Sequence, residues 1–188
     1  KVKAVGIVLS AVAVGALVLA GCATESRDRP VAGVITEPEQ LPVGQPAPDF
    51  TLPSISGEEV RLSDFEGRLV LLKLGTTWCP TCKQLSGEIS RVGDVLAENN
   101  VAFLDVFLKD SVAMVQEYLE NTANPKNFHA LLDDGQVARS YNIYLIPRLL
   151  LVDADRVVRF DSAGRSVSAA EIAAMVRAYQ PPVAAQGS

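Results

Sequence analysis

Leu69-Val70-Leu71-Leu72 is apolar at every position, and shortly after it Cys79-Pro80-Thr81-Cys82 begins a stretch with helical periodicity. A strand without polar alternation is covered on both faces, which points to a sheet sandwiched between other elements rather than one side open to water. Pro80 suits a first helical turn, where its missing N–H leaves no bond unmade. Leu85, Ile89, Val92 and Leu96, at spacings of four, three and four, extend that helix over residues 79–96. The next strand covers residues 101–108, and Ser111 caps a helix reaching about residue 120. Residues 136–141 form a short helix, residues 148–153 and 156–161 two strands joined at Ala154-Asp155, and Ser168 caps a last helix carrying Ile172, Met175, Val176 and Tyr179. Upstream, residues 49–52 and 59–62 make short strands around Ser56-Gly57. Strands alternating with helices predict an α/β fold, a central mixed sheet flanked by helices on both faces.

The chain's ends lie outside this pattern. Lys1-Val2-Lys3, an apolar run from Ala4 to Ala20, and small residues before Cys22 have the layout of a secretory signal. Leu19-Ala20-Gly21-Cys22 resembles a bacterial lipobox, in which cleavage precedes a lipidated cysteine. The alternative is a permanent membrane helix, but the cysteine falls where the apolar run stops. The expected layout is a signal peptide over 1–21, a lipidated Cys22 with a flexible tether over 22–43, one domain over 44–180, and a disordered tail over 181–188. The tether expectation follows from Pro30, Pro38 and Pro42 among charged residues with no period. Without residues 1–21 the chain carries 15 basic against 22 acidic side chains, net −7, which argues against a nucleic-acid partner.

With Cys22 assigned to lipid, Cys79 and Cys82 are the two remaining cysteines of the chain's three. At a strand-to-helix junction the first sulfur meets free backbone N–H groups and the positive end of the helix dipole, so Cys79 is expected to be the nucleophilic thiolate. Cys82, one turn on, is placed to resolve a mixed disulfide. A structural zinc site needs more ligands than this pair and the lone His129 supply. A purely structural disulfide closing so small a loop would constrain the unfolded chain little.

Trp78-Cys79-Pro80-Thr81-Cys82-Lys83 resembles a thioredoxin-fold active site. The stretch from Gly44-Gln45-Pro46-Ala47-Pro48-Asp49-Phe50 through Gly57, Leu62-Ser63-Asp64 and Gly67 resembles the opening segment of TlpA/ResA-like proteins and of AhpC/TSA-type peroxiredoxins. Tyr141-Asn142-Ile143-Tyr144-Leu145-Ile146-Pro147 resembles their loop before a cis-proline. The resemblance covers about residues 44–180. It implies a thioredoxin-like fold with an N-terminal β-hairpin extension and a central βα insert within residues 101–134. It further implies a cis bond at Pro147, an Ile146 backbone open to an extended substrate, and Trp78 on the substrate platform.

Function follows the same resemblance: a thiol-disulfide oxidoreductase on the extracytoplasmic side of a bacterial membrane, with no cofactor beyond its redox-active disulfide. Its partners would be protein thiol clients, apocytochromes c among them, and a membrane electron donor that keeps it a reductant. Three positions depart from the family pattern. Lys73 stands where Asp or Asn is frequent, and either tunes the nearby thiols from a buried site or turns outward or pairs with an acid. Gly87 replaces a helix-kinking proline, and Leu85 a proton-handling glutamate. His129 is read as a loop or half-buried residue. Two other classes compete. Thr76, three before Cys79, fits a peroxiredoxin pattern, although Leu72 replaces its proline. A copper-binding assembly factor would use two cysteines and a histidine, but usually with wider cysteine spacing.

Overall fold

The structure is a computed structural model, which describes residues 41–179. Cys22, the expected signal peptide, nearly all of the tether and the tail lie outside the described residues. The element order is β1 (Thr51–Pro53), β2 (Glu59–Arg61), a 3-10 turn (Leu62–Phe65), β3 (Val70–Gly75), α1 (Pro80–Arg91), α2 (Gly93–Glu98), β4 (Ala102–Leu108), α3 (Val112–Glu120), β5 (Phe128–Asp133), α4 (Gln136–Ser140), β6 (Arg148–Val152), β7 (Val158–Asp161) and α5 (Ala169–Ala178). Among these residues no helix is long and apolar enough to cross a membrane.

Five strands form one mixed sheet in the order β5-β4-β3-β6-β7. β3, β4 and β5 run parallel, and β6 and β7 continue antiparallel. Central β3 is buried at every residue, Lys73 included, as the apolar Leu69–Leu72 run at its start predicts. Side-chain alternation sorts the core. Leu69, Leu71, Phe103, Leu149 and Leu151 pack with Leu85, Ile89, Leu96, Ile172 and Val176 on a helix face. Val70, Leu72, Leu74, Leu104, Val106 and Leu150 pack with Phe50, Leu52, Leu62, Phe65, Val137 and Tyr141 on a hairpin face.

The N-terminal segment crosses that hairpin face from one sheet edge to the other. At the β7 edge, Gly44 N donates to Val158 O and Ala47 N to Arg156 O, while Val158 N donates to Gln45 O. At the β5 edge, Ile55 N donates to Ala130 O, and Ser54 bridges to Leu131. Asp49 Oδ1 accepts the N–H of Ser63, and Tyr141 Oη donates to Pro48 O, so the segment is fastened midway as well. Leu41 already bonds the domain, donating its N–H to Asp161 Oδ2.

Three local features differ from expectation or add to it. The helix expected over 79–96 is two helices, broken at Val92 (φ −105°, ψ 13°). The break lies beside Gly93, where an added Cβ would come within 4.0 Å of the Pro125 backbone. α1 runs through exposed Gly87 without interruption. β5 was not anticipated as a separate strand. Ser111 and Ser168 cap as expected, accepting the N–H of Met114 and Glu171, and Glu171 completes a capping box.

Candidate active site

The end of β3 and the start of α1 set the site. Cys79 is the N-cap of α1 and Pro80 its first helical residue. Cys79 and Cys82 form a disulfide with Cα atoms 5.2 Å apart. The N–H of Cys82 points at Cys79 Sγ (3.2 Å), and Thr81 Oγ1 lies 3.3 Å from the same sulfur. A thiolate at Cys79 would therefore receive a charge-assisted hydrogen bond from the helix start. Cys79 retains 5 % exposure against 1 % for Cys82, so attack from outside reaches the first sulfur more readily.

The loop before the disulfide is anchored by a residue that sequence reasoning missed. Asp110, buried between β4 and α3, accepts the Thr77 N–H (2.8 Å) and the Thr77 hydroxyl (3.1 Å). Lys109, at φ +58°, turns the chain so that Asp110 faces this loop. Trp78, the next residue, is 67 % exposed, which places it on the surface rather than in the core. It lines a depression of about 480 Å³ with Lys83, Met114 and Tyr118.

On the other side of the α1 start lies a groove of about 440 Å³, to which Thr81, Gln84, Leu85, Ile146, Pro147 and Val167 contribute. The Ile146–Pro147 peptide is cis. Tyr144 and Leu145, just before it, are exposed. The structure thus brings Ile146, Pro147 and Thr81, one of the two residues between the cysteines, to one groove.

Lys73 is neither at the surface nor alone. It is fully buried on the helix face, and its Nζ donates to both carboxylate oxygens of Asp105 at 2.8 Å. The rings of Phe107 and Tyr118 lie 5.4 and 6.0 Å from the ammonium. Burial pushes the Asp105 carboxyl above its ordinary range, while Lys73 pulls it back. Gly75 lies between Lys73 and Cys82. A Cβ there would sit 2.9 Å from Cys82 Sγ and 3.9 Å from Lys73 Cε, so glycine admits both groups to one spot.

His129 is half-buried, as expected, but stands in β5, where it stacks edge-on against Phe65. It lies three residues below Leu132, which aligns with Phe107 and Gly75 at the disulfide end of the sheet, so about 10 Å of strand separates it from that level. The structure does not bring it to the cysteines. Thr76 Oγ1 is buried and makes no hydrogen bond among the described residues, so it does not engage Cys79. No group of three or more His, Cys, Asp or Glu suited to a metal occurs among those residues.

Residues 43–161 match the model of the AhpC/TSA family. The thiol:disulfide interchange protein DsbE of Pseudomonas aeruginosa is 30% identical over 137 residues, covering 70% of this chain and 74% of that protein. The thiol-disulfide oxidoreductase ResA of Geobacillus kaustophilus is 30% identical over 125 residues, covering 66% and 71%. Among solved structures, MTB dsbF superposes with a TM-score of 0.60 at 30% identity, covering 69% of this chain and 94% of that one. A secreted Mycobacterium tuberculosis disulfide oxidoreductase homologous to E. coli DsbE does so with 0.60 at 26%, covering 69% and 95%. The matched stretch holds both cysteines and the cis-proline, and the chain belongs to the AhpC/TSA family as a thioredoxin-like thiol-disulfide oxidoreductase of the DsbE and ResA type.

Proposed function

We propose that this oxidoreductase is lipid-anchored through Cys22 on the extracytoplasmic face of a bacterial membrane and reduces disulfides of exported proteins. The observation that carries the chemistry is the Cys79–Cys82 disulfide at the α1 start, with Sγ of Cys79, the less buried of the two residues, facing the Cys82 N–H. In the dithiol form, Cys79 thiolate attacks one sulfur of a client disulfide, forming a mixed disulfide and expelling the other as thiolate. Cys82, deprotonated, then attacks Cys79 Sγ and expels the second client sulfur. Two electrons pass to the client and the Cys79–Cys82 disulfide is restored. A dithiol donor at the membrane returns two electrons by the reverse exchange, so the cycle needs no bound cofactor.

Ile146 and Pro147 supply the edge against which an extended client segment lies, and Trp78 widens the contact surface. Lys73 acts as a tuner: its ammonium, beside Cys82 across Gly75, favours the resolving thiolate, and Asp105 moderates that field. DsbE and ResA relatives support extracytoplasmic work on protein thiols, and apocytochromes c are one client class that fits it. The peroxidase and copper readings gain no support from Thr76, whose hydroxyl does not engage Cys79, or from His129, which stands apart from the cysteines.

Cys82→Ala should trap mixed disulfides with clients, isolated on non-reducing gels, while Cys79→Ala should trap none. Trapping by the Cys79 variant would reverse the roles. The measured potential decides direction: near about −270 mV marks a reductant, and near about −120 mV an oxidant. Cys22→Ser should lose palmitate labelling, and retained labelling removes the anchor.

A further inference from the structure

One buried side chain holds the loop that presents Ile146 and Pro147. Arg148, the first residue of β6, is buried on the hairpin face at the disulfide end of the sheet. Its Nε donates to Asp161 Oδ1 (2.8 Å), and Nη2 pairs with Oδ2 of the same carboxylate. Its Nη1 donates to the carbonyls of Tyr141 (3.1 Å) and Asn142 (2.8 Å), where the loop leaves α4. Asp161 in turn accepts the N–H of Ala163 (2.9 Å) and of Leu41 (3.0 Å).

This single pair therefore ties together the 141–147 loop, the turn after β7 and the N-terminal segment. The first two both line the groove beside the disulfide, through Ile146 and Pro147 and through Gly164 and Arg165. They also touch: a Cβ on Gly164 would lie 3.0 Å from Leu145 Cβ. A forked guanidinium meets a carboxylate and two carbonyls at once, which a lysine ammonium on a flexible stem does poorly. By contrast, the hydrogen bonds to Cys79 Sγ come from the Cys82 N–H and Thr81 at the α1 start, and Asp110 holds the loop before them.

We infer that Arg148, with Asp161, is a positioning residue for protein clients: it fixes both sides of the groove, and its loss weakens recognition of a protein disulfide without slowing chemistry at Cys79. The inference rests on the proposed reduction of protein disulfides. In the full chain, Arg148→Met with Asp161→Asn removes both charges and leaves an acceptor for the Ala163 N–H. With insulin as the protein disulfide, KM should rise about tenfold while kcat stays within about twofold. Reduction of a small aromatic disulfide, and alkylation of reduced Cys79 by iodoacetamide, should keep wild-type rates. Arg148→Lys should fall between the two, and carries the test by the same readouts if the double variant does not fold. An unchanged KM overturns the inference, as does small-disulfide turnover that drops in parallel with protein turnover. A wild-type chain inactive on every protein disulfide overturns the proposed function instead, and the two failures are told apart by which protein lacks activity.

Discussion

Among the described residues two ion pairs are buried, one on each face of the sheet, and they are built differently. Lys73 and Asp105 bond each other between apolar strands and two aromatic rings, and no other hydrogen bond to the Asp105 carboxylate is seen among the described residues. Arg148 and Asp161 spread their bonds over two carbonyls and two backbone N–H groups from three segments. The first is a closed couple beside a sulfur, and the second is a junction. Breaking the couple strands a charge, whereas breaking the junction loosens loops but leaves its carboxylate partly satisfied.

The largest effect should therefore come from Lys73→Met, which leaves Asp105 buried and unpaired at a cost of about 3 to 5 kcal/mol. Arg148→Met should cost less, toward about 2 to 3 kcal/mol, because Asp161 keeps two N–H donors. Urea denaturation of both variants checks the order, and the reverse order breaks the comparison. Lys73→Met with Asp105→Leu should recover most of the loss, since neither charge is then stranded.

The pH dependence sharpens the contrast. Burial already raises Asp105, and without Lys73 nothing pulls it back, so the folded Lys73→Met chain holds a proton that the unfolded chain releases above about pH 3.9. Its stability should thus fall as pH rises from the unfolded value through the raised folded one, and acidification should relieve part of the defect. Denaturation midpoints at pH 5 and pH 8, compared with wild type, show whether the penalty shrinks in acid.

Gly75→Ala probes the spot where the couple meets the sulfur. An added methyl 2.9 Å from Cys82 Sγ must displace it, at about 1 to 3 kcal/mol in the oxidised form. Reduction should relieve part of that, so the loss should be smaller in the dithiol state, and equal losses in both states would place the crowding elsewhere. The smallest effect belongs to His129, away from both pairs. Burial first, and Arg68 second, lower its pKa, so the unfolded chain takes up a proton that the fold resists. Stability should decline as pH falls through about 6.5 toward the lower folded value, and His129→Phe should flatten that slope.

The disulfide and both serine caps were legible because each rests on local chemistry, whereas the cis bond at Pro147 came from the family resemblance of residues 141–147. The break at Val92 was hidden because Leu85, Ile89, Val92 and Leu96 all face one core, and apolar spacing is blind to a local interruption on that face. Only Gly93 hinted at it. β5 escaped because Phe128-His129-Ala130-Leu131-Leu132-Asp133 has no β-branched residue and no clean polar alternation, and it follows a run holding Asn121, Asn124, Pro125 and Asn127. Asp105 could have been found: a lone acid amid Phe103-Leu104 and Val106-Phe107 needs a buried cation, and Lys73 sits amid Leu71-Leu72 and Leu74 in the neighbouring strand. Asp110 left no comparable signal, since an acid after a strand is ordinary.

The N-terminal segment that crosses the hairpin face has a consequence for how the domain meets other chains. A bare outer strand is a template on which an exposed client segment can zip up and aggregate. Here residues 44–47 pair with the start of β7 and residues 54–55 with the middle of β5, so part of each outer ladder is already taken. A chain that comes to exchange a disulfide is thereby offered a shorter length of bare strand on which to linger.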